Sequence, residues 1–388
     1  METVPGLMRA RGAGAATVTP FELFFDLVYV FAVTQLSHHL LDELTVIGAA
    51  KTLLLLLAVW WAWNYTSWMT NWFDPAHPRI RLVLAAVMLA SLVMSAFLPE
   101  AFGERAVWFA GAYVAIQVGR TMSLVVLSRG TALRLTFSRI LLWHVVTGVL
   151  WLYGAVAGGA VQTGLWVLAI ILEYLAPWHG YRMPGLGRAH TSEWTIEGAH
   201  MAERCQLFMI IALGESILMT GATLGKLGPS PAAVAAFAVA FVAAVGMWWI
   251  YFDRTAEAAA EEIAASDDPG RLGRSAYAVN HIPMVAGIIV TAVGNELVIA
   301  HPAGHTEPAV TAVILGGAGL YLVGHALFTR TVFRRVPWTR LAAVAALVAL
   351  VPVSLIVSPL VLSTATALVL LGLAVADARI RRDTTIPA

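Results

Sequence analysis

Thr52-Leu53-Leu54-Leu55-Leu56-Leu57-Ala58-Val59-Trp60-Trp61 is a run whose one plainly polar group is the Thr52 hydroxyl. Leu82–Leu98 and Leu341–Pro359 have the same character. With their neighbours, such runs reach the roughly 20 apolar residues that cross a hydrocarbon core of about 30 Å at about 1.5 Å per helical residue. No water is available there to satisfy backbone groups. The runs therefore read as helices, and the strict alternation of a membrane β-barrel is absent.

Composition agrees with that reading. Of 388 residues, 59% are hydrophobic and 12% are charged, against about 25% charged in ordinary soluble domains. The chain has too little polar surface to clothe a soluble domain of any size. A formal net charge of +1 gives no case for nucleic-acid binding. Cys205 is the sole cysteine, which excludes an intrachain disulfide and any cysteine-based metal cluster. The N-terminal segment is not read as a secretory signal, because its first apolar run carries Glu22 and Asp26 and continues for a full span.

Twelve spans are expected: Pro20–Leu41, Val46–Met69, Ile80–Leu98, Ala106–Leu127, Thr136–Val156, Val161–Pro177, His200–Leu224, Pro231–Asp253, Tyr277–Ile299, Pro308–Thr329, Leu341–Ser358 and Pro359–Ala378. With the N-terminus placed inside, 19 Lys and Arg fall in cytoplasmic segments and 3 (Lys51, Arg105, Lys226) fall outside. Arg120 and Arg204 remain within spans. This bias orients both termini to the cytoplasm of the inner membrane. Thr255–Ala265, with Glu257, Glu261 and Glu262, reads as a solvated helical extension.

The halves of the chain look related. Glu22 pairs with Glu203, Trp60-Trp61-Ala62-Trp63 with Trp248-Trp249-Ile250-Tyr251, and Val118-Gly119-Arg120 with Val323-Gly324-His325. Phe137-Ser138-Arg139 likewise matches Trp338-Thr339-Arg340, and Glu173 matches Asp377. The expected architecture is an all-α bundle of two parallel six-helix repeats, 1–178 and 200–388, joined by a cytoplasmic linker over 179–199. Halves of six spans share one orientation, as in transporters whose repeats are related by an axis along the membrane normal.

Ionisable groups inside a membrane are costly and mark function by default. Glu22, Asp26, Arg120, Glu173, His200, Glu203, Arg204 and His325 are expected in the cytoplasmic half, with Glu215 nearer mid-membrane. Glu22 and Asp26 share a face, about 40° apart around the helix. Span 1 is polar on different faces at its two ends, which implies a helix surrounded by protein. Arg120 is expected on Glu22 or Asp26, and Arg204 on the same group or on Glu173; such pairs serve either to lock helices or to handle protons and substrate. Leu213-Gly214-Glu215-Ser216 holds no basic residue, so a desolvated Glu215 fits a proton-coupling role. His200-x-x-Glu203 has the spacing of di-iron bundles, but Thr19 stands where the second histidine would be. His38-His39 point about 100° apart and make a poor metal pair. No metal, cofactor or catalytic motif is expected. The tryptophans read as interfacial belt and packing residues, with an aromatic-lined solute path as the alternative.

Phe21-Glu22-Leu23-Phe24-Phe25-Asp26-Leu27-Val28-Tyr29-Val30-Phe31-Ala32-Val33 resembles a hallmark of the bacterial low-temperature-requirement A (LtrA) family. Glu203-Arg204-Cys205-Gln206-Leu207-Phe208 and Ala212-Leu213-Gly214-Glu215-Ser216-Ile217 resemble its second hallmark, and Trp60-Trp61-Ala62-Trp63 fits it as well. The resemblance runs from about Thr17 to Ala378. It implies a multi-pass inner-membrane protein and supplies no reaction, substrate or cofactor. Three functions stay open at this point. One is a secondary transporter of an unknown small solute, with Glu215 as the proton-coupling candidate. The second is an integral-membrane enzyme acting on a lipid or prenyl substrate through Glu22, Asp26, His200 and Glu203. The third is a non-transporting membrane stabiliser or stress sensor. In each case the lipid bilayer is a partner.

Overall fold

The computed structural model describes residues 7–9, 17–131, 133–189, 197–253 and 255–384. Among them, eleven helices are long and apolar enough to cross a membrane, and Gly159–Leu175 is a shorter apolar helix of 17 residues. The chain is thus an all-α, multi-pass membrane protein. The helices are α1 Pro20–Asp42, α2 Val46–Trp72, α3 Pro78–Ala96, α4 Ala106–Leu127, α5 Leu133–Ala157 and α6 Gly159–Leu175. They continue as α7 Gly198–Leu227, α8 Pro231–Phe252, α9 Gly270–Ala300, α10 Pro308–Phe333, α11 Trp338–Leu355 and α12 Pro359–Thr384. Most ends agree with the hydropathy reading. The clearest exception is α9, which begins seven residues ahead of Tyr277 because a π-helical stretch, Arg274–Val279, carries the helix through a polar entry.

Proline and caps set several starts. α3, α8 and α10 each have proline in the first turn, where the missing N–H costs nothing. Ser230 caps α8 by accepting the Ala233 N–H at 3.1 Å. Gly158, at φ 68°, separates α5 from α6 with a backbone turn that a side chain would resist.

The chain divides into two compact units. The first holds residues up to 39, Ala49–Arg204 and Asp267–Arg271. Its core is aromatic: Phe109, Tyr113, Trp151 and Trp166 are all buried. Tyr113 and Trp166 flank Trp151 with ring centroids 4.7 Å away on each side. The loop after α6 is packed rather than slack. Tyr181 is buried with its hydroxyl against that of Tyr65, and Arg139 donates to the Leu186 carbonyl at 2.8 Å. Residues 190–196 of the expected linker lie outside the described residues.

The second unit holds Leu40–Gly48, Cys205–Ser266 and Leu272–Ala388. Here α9 and α10 approach through glycine. A Cβ added at Gly287 would stand 2.5 Å from the Tyr321 nitrogen, and one at Gly317 would stand 2.5 Å from the Thr291 hydroxyl. Small residues at such crossings let membrane helices touch backbone to backbone.

Two expectations change. α1 is not enclosed by protein, because Leu23, Phe24, Leu27 and Phe31 form an exposed apolar strip suited to lipid. The short helix Thr255–Ala264 is not wholly solvated either: Ala259 and Ile263 are buried, while Glu261 and Glu262 face out. The Glu257 side chain lies outside the described residues.

Candidate functional site

Thr19-Pro20-Phe21-Glu22 opens α1 as a capping box. The Glu22 amide donates to the Thr19 hydroxyl oxygen at 3.3 Å, and Glu22 Oε2 accepts the Thr19 N–H at 2.8 Å. One carboxylate oxygen therefore closes the helix end. The other, Oε1, is free for a second task and lies 2.8 Å from His200 Nε2 at the start of α7. Both side chains are fully buried.

Asn71, in the last turn of α2, decides how His200 carries its proton. Its amide oxygen accepts the Glu197 N–H at 3.0 Å, and its amide nitrogen donates to the Glu197 carbonyl at 2.9 Å. That pairing fixes the amide, so the nitrogen 3.1 Å from His200 Nδ1 is a donor. Nδ1 must accept, and the imidazole proton sits on Nε2, where it is donated to Glu22. Arg9, from the N-terminal segment, also reaches this point, with Nη1 2.8 Å from Nε2 and 3.5 Å from Glu22 Oε1.

One turn deeper, about 6 Å along α1, Asp26 faces Arg204. Arg204 Nη2 donates to Asp26 Oδ1 at 2.8 Å and to the Ser67 hydroxyl at 3.1 Å, with both charged side chains fully buried. The Trp63 indole N–H donates to the same Asp26 oxygen at 2.8 Å. The guanidinium also lies over the rings of Phe25 and Trp63. Glu203 is half-buried and accepts the Val18 N–H at 3.0 Å. Glu22, Asp26, His200, Glu203 and Arg204 thus come together within the first unit.

Arg120 does not join them. Its expected carboxylate contact is replaced by neutral oxygens: the Ala62 carbonyl at 3.1 Å, the Thr66 hydroxyl at 3.0 Å and Gln117 Oε1. Gln117 Nε2 donates to the Tyr113 hydroxyl at 2.9 Å, and that hydroxyl donates to Glu173 Oε2 at 2.5 Å. The Trp151 indole N–H adds a contact to Glu173 Oε1 at 3.2 Å. Arg120 therefore meets a carboxylate through two neutral side chains, all donors pointing toward Glu173. The cause is a π-helical turn at Ala115–Gly119 in the middle of α4, directly before Arg120. Such turns redirect side chains and recur at functional sites.

In the second unit, His325 is buried and Arg340 Nε approaches its Nδ1 at 3.4 Å. Arg340 pairs with Asp377 at 2.6 Å. Glu215 is buried on α7 within this unit. Tyr251 and His281 form a separate hydrogen bond of 2.8 Å. The Trp60, Trp61, Trp63 and Trp68 side chains are buried packing residues, whereas Trp248 and Trp249 are exposed as a belt would be.

Sequence reasoning missed Arg9, Asn71, Gln117 and Tyr113. Arg9 had been counted only as a loop charge, and the other three are neutral. The Thr19-x-x-Glu22 spacing was a readable signal for the cap. Among the described residues, no three His, Cys, Asp or Glu side chains are placed to share a metal ion.

The sequence profile of the family described as "Bacterial low temperature requirement A protein (LtrA)" matches residues 17–375. An uncharacterized protein of Rhizobium meliloti (strain 1021) is 34% identical over 356 residues, covering 91% of this chain and 87% of the relative. No solved structure matches the chain. The match runs from the residues before α1 into α12 and includes Glu22, Asp26, His200, Glu203 and Arg204, so the chain belongs to the bacterial low-temperature-requirement A (LtrA) family.

Proposed function

We propose that the chain is a proton-coupled secondary transporter of a small solute. In this reading it sits in the inner membrane with both termini in the cytoplasm. Two parallel six-helix halves, 1–178 and 200–388, are joined by the cytoplasmic segment between them. The observation that carries the reading is the Glu22–His200 hydrogen bond. A carboxylate and an imidazole, both fully buried at the ends of membrane helices, share one proton over 2.8 Å. Groups of this kind inside membrane proteins are the working parts of proton relays. Asp26 and Arg204 beside them hold α1 and the second turn of α7 in register, and Glu215 is the second coupling candidate on α7.

A second reading rests on the gathering of so many ionisable groups in one place. That arrangement suits an acid–base centre acting on a lipid or prenyl substrate, whereas a transport path is polar along its length.

Everted membrane vesicles separate the two. With a respiration-driven proton gradient reported by acridine orange, a panel of amines, amino acids, sugars and carboxylates is added in turn. Transport predicts protein-dependent dequenching by some member of the panel, lost in Glu22→Gln and His200→Ala. Silence across the panel, with altered lipid composition in the same membranes, would replace transport by the enzyme.

A further inference from the structure

We infer that the Arg9 position is a guanidinium-binding site, filled in this conformation by the chain's own side chain acting as a tethered ligand. The site is built from helix ends. Arg9 Nη1 donates to the Thr70 carbonyl at 2.7 Å, and Nη2 donates to the Thr17 carbonyl at 2.7 Å. The Thr70 carbonyl is available because its helical partner, the Asp74 N–H, bonds the Leu7 carbonyl instead, at 3.1 Å. Such last-turn carbonyls carry the negative end of the helix dipole and favour a cation. Thr17 precedes α1, so no α1 residue claims its carbonyl as a helical acceptor. Glu22 Oε1 supplies formal charge at 3.5 Å, and the Arg9 side chain is only 8% exposed there. Two carbonyls on separate nitrogens of one planar group match a guanidinium better than a compact ammonium.

Among the described residues the tether is Leu7–Arg9, held by the antiparallel bridge between Met8 and Phe73, by the Arg9 N–H donating to the Trp72 carbonyl at 2.9 Å and by the Leu7 carbonyl accepting the Asp74 N–H at 3.1 Å. The seat is also contested. With Asn71 holding Nδ1 as an acceptor, His200 Nε2 carries a proton, so Arg9 Nη1 stands donor against donor at 2.8 Å. Arg9 is therefore held by three oxygens against one N–H, a balance that any guanidinium in the seat would share, so a free guanidinium-bearing solute fits the same place once the Arg9 side chain is removed. The inference concerns binding alone and is decided separately from transport.

Chemical rescue tests it. Arg9→Ala, purified in detergent, is expected to melt lower than the parent. Methylguanidinium at millimolar concentration should then raise its melting temperature saturably, while methylammonium and sodium chloride at matched ionic strength do not. The parent should show no such rise, and Arg9→Ala/Glu22→Gln should lose it. An equal response of parent and Arg9→Ala, or an equal effect of sodium chloride, would overturn the site. If Arg9→Ala cannot be purified, Arg9→Lys with endoproteinase Lys-C gives the second reading. Methylguanidinium should displace the lysine and speed cleavage after position 9; an unchanged rate there defeats the inference.

Discussion

Glu173 on α6 and Asp377 on α12 stand at positions that the sequence pairing aligns, yet they are held in different ways. Asp377 meets Arg340 directly at 2.6 Å, with side chains 18% and 12% exposed. Glu173 is buried and is held by neutral donors, the Tyr113 and Thr147 hydroxyls and the Trp151 indole, with Arg120 two hydrogen bonds behind Tyr113. Asp26 adds a third case, a direct pair with Arg204 in which neither side chain is exposed. The difference shows how a membrane protein shelters a carboxylate. Where the medium can reach, one guanidinium suffices. In the interior, charge is either matched face to face and ringed by aromatics, or spread along a row of aligned dipoles.

The contrast is sharpest at Asp26. Arg204→Ala strands a fully buried carboxylate and should cost about 3–5 kcal/mol, whereas Asp26→Asn/Arg204→Met, which removes both charges, should be milder. Denaturation in mixed micelles would show this; equal losses in the single and double variants would mean that the charges do not depend on each other. Arg120→Met should cost about 2 kcal/mol, because Gln117, Thr66 and the Ala62 carbonyl lose a shared donor. Its double-mutant cycle with Glu173→Gln should give a coupling below about 1 kcal/mol. A coupling as large as that of Asp26 with Arg204 would erase the distinction between relayed and direct pairing.

Arg340→Ala should cost about 1–2 kcal/mol, with a salt dependence absent at Arg204. Insensitivity of the Arg340 loss to salt would place Asp377 with the interior carboxylates. The smallest expected effect is Thr19→Ala, about 1 kcal/mol, from loss of the α1 cap. A melting temperature unchanged by Thr19→Ala would show that Glu22 is fixed by His200 rather than by the capping box.

Hydropathy made the helices legible, since a run such as Leu53–Trp61 has no other way to satisfy its backbone. The Asp26–Arg204 pair was legible for a related reason: after the loops were counted, Arg204 was left in a span and needed an acid. The same reasoning misled at Arg120. Its neighbours Gln117 and Tyr113 are neutral, and the π turn that aims them has no signature in hydrophobic periodicity. Arg9 was hidden by distance, 191 residues from His200, on a segment with no periodic pattern. The exposed apolar strip of α1 has no separate signature in the sequence, because Phe24 and Leu27 lie among apolar residues that continue to the buried face of the same helix.

The glycine contacts of α9 and α10 bear on how such a molecule moves. Gly287 lies against Gly317 and Tyr321, and Gly324 against the Met284 backbone, with no room for a single added carbon. Sliding one helix past the other would drive main chain into main chain, and no side-chain rotation can relieve that. The two helices are therefore fixed to each other as one plank, and any shift of one must carry the other with it.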